Sequence, residues 1–186
     1  DSVRGWQLQT PMQSRVPLTL LLLQLMFAVS IDWAFVDSSR AAFLLCFGPL
    51  LRLAFEALLR PVELYSPRVC DVLISVDAHG LPVAVLSIWD PKNRAHMGRA
   101  QHRMVRDASL CKWLAWLILG LPSSCPLWPS SPSRFRQIFA AVLARAGLER
   151  LPVSPASCRP GGGYSSLHGR RFRHAFEVSG RLAGFD

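Results

Sequence analysis

The stretch DVLISVDAHGLPVAVLSIW, Asp71–Trp89, decides the fold. Val72–Val76 and Pro82–Trp89 are two runs rich in β-branched and apolar residues. Asp77-Ala78-His79-Gly80 lies between them, with glycine where a turn needs a left-handed residue. Two such runs around a Gly-containing turn predict an antiparallel hairpin. Neither run alternates cleanly with polar residues. Near-continuous apolar strands are usually covered on both faces, so the expectation is an α/β sandwich with helices on each side of the sheet.

Upstream, Ser38-Ser39 can cap a helix from about Arg40 to Leu59. Phe43, Cys46, Phe47, Leu50, Leu51, Ala54, Phe55 and Leu58 recur there at helical steps, and Gly48-Pro49 is placed to kink or split it. Before it runs VPLTLLLLQLMFAVSIDWAFV, Val16–Val36, leucine-rich and without a polar face. It is read as one continuous helix outside the core, a membrane anchor with Trp33 near the interface. A secretory signal and a buried core helix remain open as alternatives.

Downstream, a polar loop spans Asp90–Gly98, and a helix is expected from about Arg99 to Leu117. Ile118–Leu121 is read as a short third strand. Ser133 is placed to cap a helix over Arg134–Ala146, with Gly147 at its C-terminal end. The chain thus divides into an anchor-like segment, 1–37, an α/β domain, 38–150, and a basic Gly-rich tail, 151–186. Gly161-Gly162-Gly163 lacks the spacing of a phosphate loop and reads as linker.

Charge is distributed unevenly. The 186 residues carry a net +9. Residues 1–90 hold 6 Arg against 8 acids, and residues 91–186 hold 15 Lys and Arg against 4 acids. The positive field therefore belongs to the second half, and 19 of the 21 basic residues are arginines, which fork onto phosphate. Arg94, Arg99, Arg103 and Arg106, with Arg170, Arg171 and Arg173 in the tail, are the candidate nucleic-acid contacts. An anionic membrane surface, reached through residues 16–36, is the other partner such charge suits. Trp113 and Trp116 read as core or membrane-facing residues rather than as a base-stacking platform. The five cysteines are far apart, without zinc spacing, and are read as free thiols in a reducing compartment. No nucleophile elbow occurs, and His96 and His102, six apart, do not share a helix face for paired ligation.

Asp71-Val-Leu-Ile, Leu81–Leu86, His96, Arg106-Asp107-Ala108 and Gly120-Leu121-Pro122 together resemble domain of unknown function 2726. That bacterial family belongs to the restriction-endonuclease-like, or PD-(D/E)XK, superfamily. The resemblance covers residues 70–122. It implies a three-layer restriction-endonuclease-like core with a small mixed sheet, behind an N-terminal hydrophobic helix. It also implies a place at the bacterial inner membrane, on the cytoplasmic side, with the cytoplasm as the alternative. In such a site one carboxylate opens the first strand, a second leaves the adjacent strand, and a lysine two residues later shares its face. Mg²⁺ held there would polarise a phosphodiester and generate hydroxide.

This chain departs from the pattern at two positions. Ser87 stands where the family carries Glu, and Trp89 where the second functional side chain is expected. Asp71 alone remains, which implies a nuclease-like module that has lost its chemistry and binds nucleic acid or a partner protein. The alternative is an active enzyme using Asp90-Pro91-Lys92, with Asp71, Asp90 and Lys92 as the catalytic set and Asp71 and Asp90 holding Mg²⁺. Pro91 and the strand parity of Asp90 weigh against it. A third reading is a small membrane interaction protein without a nucleic-acid role. No small-molecule cofactor is expected in any of them.

Overall fold

The hairpin forms as read. A computed structural model describes residues 16–89 and 100–163, and in it β1 (Val72–Val76) pairs antiparallel with β2 (Pro82–Ile88), Val72 opposite Leu86 and Val76 opposite Pro82. The turn is locked by Asp77, whose Oδ1 accepts the His79 and Leu81 amides at 2.9 and 3.0 Å. Gly80 takes a φ of +74°, the conformation for which glycine is suited. A third strand, β3 (Gln101–Val105), pairs antiparallel with β2, giving the order β1-β2-β3.

That strand corrects the expected helix from Arg99. Gln101-His-Arg-Met-Val105 pairs along β2, and sheet pairing overrides its weak local preference. Asp107 then caps α4 (Ala108–Ile118), accepting the Leu110 amide at 2.7 Å. Ile118 ends α4 and Leu119-Gly120 is a turn, so the expected strand over Ile118–Leu121 does not form; Gly120 takes φ +74°.

The helices are α1 (Leu20–Val36), α2 (Ala41–Glu56), the single-turn α3 (Pro61–Tyr65), α4, and α5 (Pro132–Arg145), with 158–163 also helical. Pro49 sits inside α2 without ending it. Ser39 does not cap α2; its hydroxyl donates to Asp37 at 2.6 Å. The cap of α5 is Ser131 instead of Ser133, accepting the Arg134 amide at 3.2 Å, and Gly147 closes that helix at φ +70° as expected.

The expectation that Val16–Val36 stands clear of the core is overturned. Leu23, Met26, Ser30 and Ala34, at steps of three and four, are buried, and Leu18 is fully buried. Ser30 and Gly48 let α1 and α2 approach closely: a Cβ on Gly48 would lie 2.8 Å from Ser30 Oγ. Two guanidinium groups, Arg40 and Arg145, each lie over the Trp33 ring, 5.3 Å from its centre. Among the described residues no helix is long and apolar enough to cross a membrane.

The core joins α1, α2, α4 and α5 to one face of the sheet. Ala84, Leu86, Ile88 and Val105 are buried there, with Val72 and Ile74 packed against them. On the opposite face Leu73 and Met104 are 64% and 56% exposed. Among the described residues the main core lies on one face of the sheet, with Val83 also buried on the other, and the three-layer arrangement is not shown. The apolar outer residues are what made the strands read as doubly buried.

The Gly161–Gly163 run is not a linker. Gly161 and Gly162 are buried in the helical residues 158–163, wedged between the start of α1 and the end of α2. The Leu18 amide donates to the Ser157 carbonyl at 3.0 Å, joining the two ends of the described chain. All five cysteines are free thiols. Burial pushes the Cys158 thiol up to about 12 and that of Cys46 up to about 11, so neither ionises readily at neutral pH.

Candidate functional site

Strand register assembles the site on the outer sheet face. Val72 pairs with Leu86, so continuing the register places Asp71 level with Ser87. Ser87 in turn pairs with His102 on β3. Asp71, Ser87 and His102 thus form one rung across the sheet, and Trp89, two residues beyond Ser87, shares their face because strands have period two.

Asp71 is engaged through both carboxylate oxygens. Oδ2 accepts the Arg68 amide at 2.7 Å, closing the one-turn 3₁₀ helix Val69–Asp71 that leads into β1. Oδ1 accepts the indole N–H of Trp89 at 2.6 Å. The side chain standing at the second functional position is therefore bonded to the carboxylate that a metal would need. A tryptophan offers a donor only, so it cannot share a cation with Asp71. The indole ring remains outside, with Trp89 64% exposed.

Ser87 Oγ and His102 Nδ1 are 3.1 Å apart. A nucleophile and a base meet at this distance in hydrolases. Here His102 has no carboxylate bonded to it among the described residues, and the pair lies on an open strand surface instead of in a cleft. Among the described residues the pair forms a cross-strand hydrogen bond, with no further group bonded to the ring.

The two candidate arginines among the described residues, Arg103 and Arg106, do not gather at the Asp71–Ser87–His102 rung. Arg103 has the parity of the core side: it pairs with Leu86, is half-buried, and donates to Gln101 Oε1 at 3.1 Å. Arg106 is exposed and reaches back to the hairpin turn, 3.8 Å from Asp77 Oδ2. Asp90, Lys92, Arg94, His96, Arg99, Arg170, Arg171 and Arg173 lie outside the described residues, and with them the Asp71–Asp90 separation on which the enzyme reading turns. Among the described residues no group of three His, Cys, Asp or Glu side chains is placed to hold a metal.

Asp107, within the Arg106-Asp107-Ala108 segment, serves the fold. Its Oδ1 caps α4, and its Oδ2 meets Arg52 Nη2 of α2 at 2.8 Å, both side chains being partly buried. Asp107→Ala removes the cap and leaves Arg52 without its acid. A loss of about 2 kcal/mol is expected, roughly half from each contact. Asp107→Asn keeps a capping oxygen and should recover about half of that. Urea unfolding of the two variants checks it; equal losses would show that the cap contributes nothing, and an asparagine variant as stable as wild type that the ion pair contributes nothing.

The Trp89–Asp71 bond was the element that sequence reasoning missed. The signal was present in the spacing: in a hairpin of this register, Trp89 is the diagonal neighbour of Asp71 on the same face. No protein-family model matches the chain, and no curated protein matches its sequence.

Proposed function

We propose that this chain is a non-catalytic module of nuclease-like pattern that binds single-stranded nucleic acid on the outer face of its sheet. The observation that carries the reading is the Trp89–Asp71 hydrogen bond. It consumes the carboxylate that metal chemistry would require, and it fixes an exposed aromatic ring at the end of the central strand. With its N–H satisfied from within, that ring has its faces left for a base. Bases stack on exposed aromatics regardless of sequence, and His102 and Met104 extend the same surface. The excess of 15 basic over 4 acidic residues in 91–186 supplies the attraction for phosphate.

The test is binding and cleavage of a labelled single-stranded oligonucleotide, with and without Mg²⁺. Expected are no cleavage, affinity that falls steeply with salt, and a loss of about 1–3 kcal/mol in Trp89→Phe or Trp89→Ala, with alanine the worse. No measurable affinity at low salt would sink the proposal. Mg²⁺-dependent cleavage abolished by Asp71→Ala would instead restore the active nuclease built on Asp71, Asp90 and Lys92.

A further inference from the structure

A cavity of about 620 Å³ opens between α1, α2 and α4, away from the outer sheet face. Its walls are Ile31, Ala34 and Phe35 of α1, Leu45 of α2, and Ser109, Lys112, Trp113 and Trp116 of α4. The four α4 residues follow the spacing i, i+3, i+4, i+7, so they make one stripe along that helix. The stripe is graded. Ser109 and Lys112 stand toward the N-terminal end of α4, and Trp116 stands about 10 Å along the helix from Ser109.

The aromatic end is well built. Trp113 is held edge-on between Phe27, 5.4 Å away, and Trp116, 5.7 Å away. Trp116 and Phe35 remain 51% and 83% exposed at the mouth. Lys112 is the one charged side chain in the lining, no acid lines the cavity, and Lys112 makes no ion pair with any described residue. Asp107, the nearest acid along α4, has its oxygens on the Leu110 amide and on Arg52. An apolar trough with a lone cation at one end is complementary to a molecule with an apolar tail and a single negative head.

We propose that this groove binds the anion of a single-chain amphiphile, a medium- or long-chain carboxylate, with its tail along Ile31, Leu45, Trp113 and Trp116 and its head on Lys112. The site is independent of the sheet face and of its nucleic-acid reading. Its volume lies in the range of small-molecule sites and suits one chain instead of a folded partner. Carboxylate and ammonium meet at the edge of the groove, where the apolar wall reduces the competition from water.

The experiment is titration of the full chain with sodium decanoate below its micelle-forming concentration, read by tryptophan emission. Decanol and decyltrimethylammonium are the neutral and cationic controls. A saturable change is expected with decanoate, a weaker one with decanol and none with the cation. Lys112→Met, an exposed position, should lower decanoate affinity about fivefold and leave decanol unchanged. Trp113→Phe and Trp116→Phe should each remove part of the emission change while keeping the binding seen by calorimetry. Unsaturable binding, or equal decanoate affinity in wild type and Lys112→Met, would overturn the assignment. So would a concentration-dependent doubling of mass that decanoate does not reverse, which would seat a second copy in the groove.

Discussion

Gly162→Ala is expected to lower stability by at least about 3 kcal/mol, because the new methyl group meets backbone and not a side chain that can turn away. A Cβ at residue 162 would stand 1.9 Å from the Phe55 carbonyl oxygen and 2.6 Å from Leu58 Cδ2. At residue 161 it would stand 1.9 Å from the Leu18 carbonyl oxygen, so Gly161→Ala should be comparably severe. Neither position has a left-handed φ, so the requirement is for space and not for conformational freedom. Relief demands that the helical residues 158–163 withdraw from α1 and α2 together. Leu58, itself held at φ 55° where α2 ends, leaves little slack on one side. Gly163→Ala is the control: nothing lies within 4 Å of that added carbon, and alanine suits a helix better than glycine. For a chain of this size the first two changes should depress the melting temperature by roughly 6–12 °C, and the third by less than about 2 °C. Equal, small shifts in all three variants would mean that 158–163 does not seat against the core.

Phe135→Ala should have an effect of similar size, about 3–5 kcal/mol. Phe135 is fully buried on α5. Its ring centre lies 4.9 Å from those of both Phe47 and Trp128 and 5.4 Å from that of Tyr65. The aromatic group joins α2, α3, α5 and the 122–131 connection, so none of its members can collapse into the void without moving a second element. Trp128 is also tied down by its indole N–H, which donates to the Ser131 carbonyl at 2.9 Å. Phe135→Leu keeps much of the volume and should cost about 1–2 kcal/mol. The comparison of urea midpoints for the two variants separates the cavity from any loss specific to the aromatic ring. An alanine variant within about 1 kcal/mol of wild type would show that this end of the core repacks freely.

What the sequence made legible follows from how local each signal was. The hairpin was readable because Asp77 and Gly80 punctuate two β-rich runs within nineteen residues. The α5 helix was readable because Phe135, Ile138, Phe139, Val142 and Leu143 carry its period and Gly147 ends it. The third strand was not, since Gln101–Val105 is polar and arginine-bearing and becomes a strand through its partner β2. The role of α1 was hidden for the opposite reason. A helix apolar all round gives no sign of which stripe is buried, and only Ser30 opposite Gly48 marks the contact. Gly161 and Gly162 carried a misleading composition: glycine triplets usually link, and their closeness to Leu18 and Phe55 is a property of the assembled core. At the candidate site, that neither Ser87 nor Trp89 offers a second carboxylate was legible residue by residue. That Trp89 would bond to Asp71 required the register as well.

The contact between Leu18 and Ser157 also bears on the order of events during synthesis. Helix α1 can pack on α2 as soon as both are made, but its Leu18 end gains its last neighbours only once almost all of the described chain has been synthesised. Until residues 155–162 arrive, Leu18 and the end of α2 around Phe55 lie open. Such a topology defers closure to the last stage and exposes the early intermediate to chaperones or to neighbouring chains. It also brings the two ends of the described chain side by side.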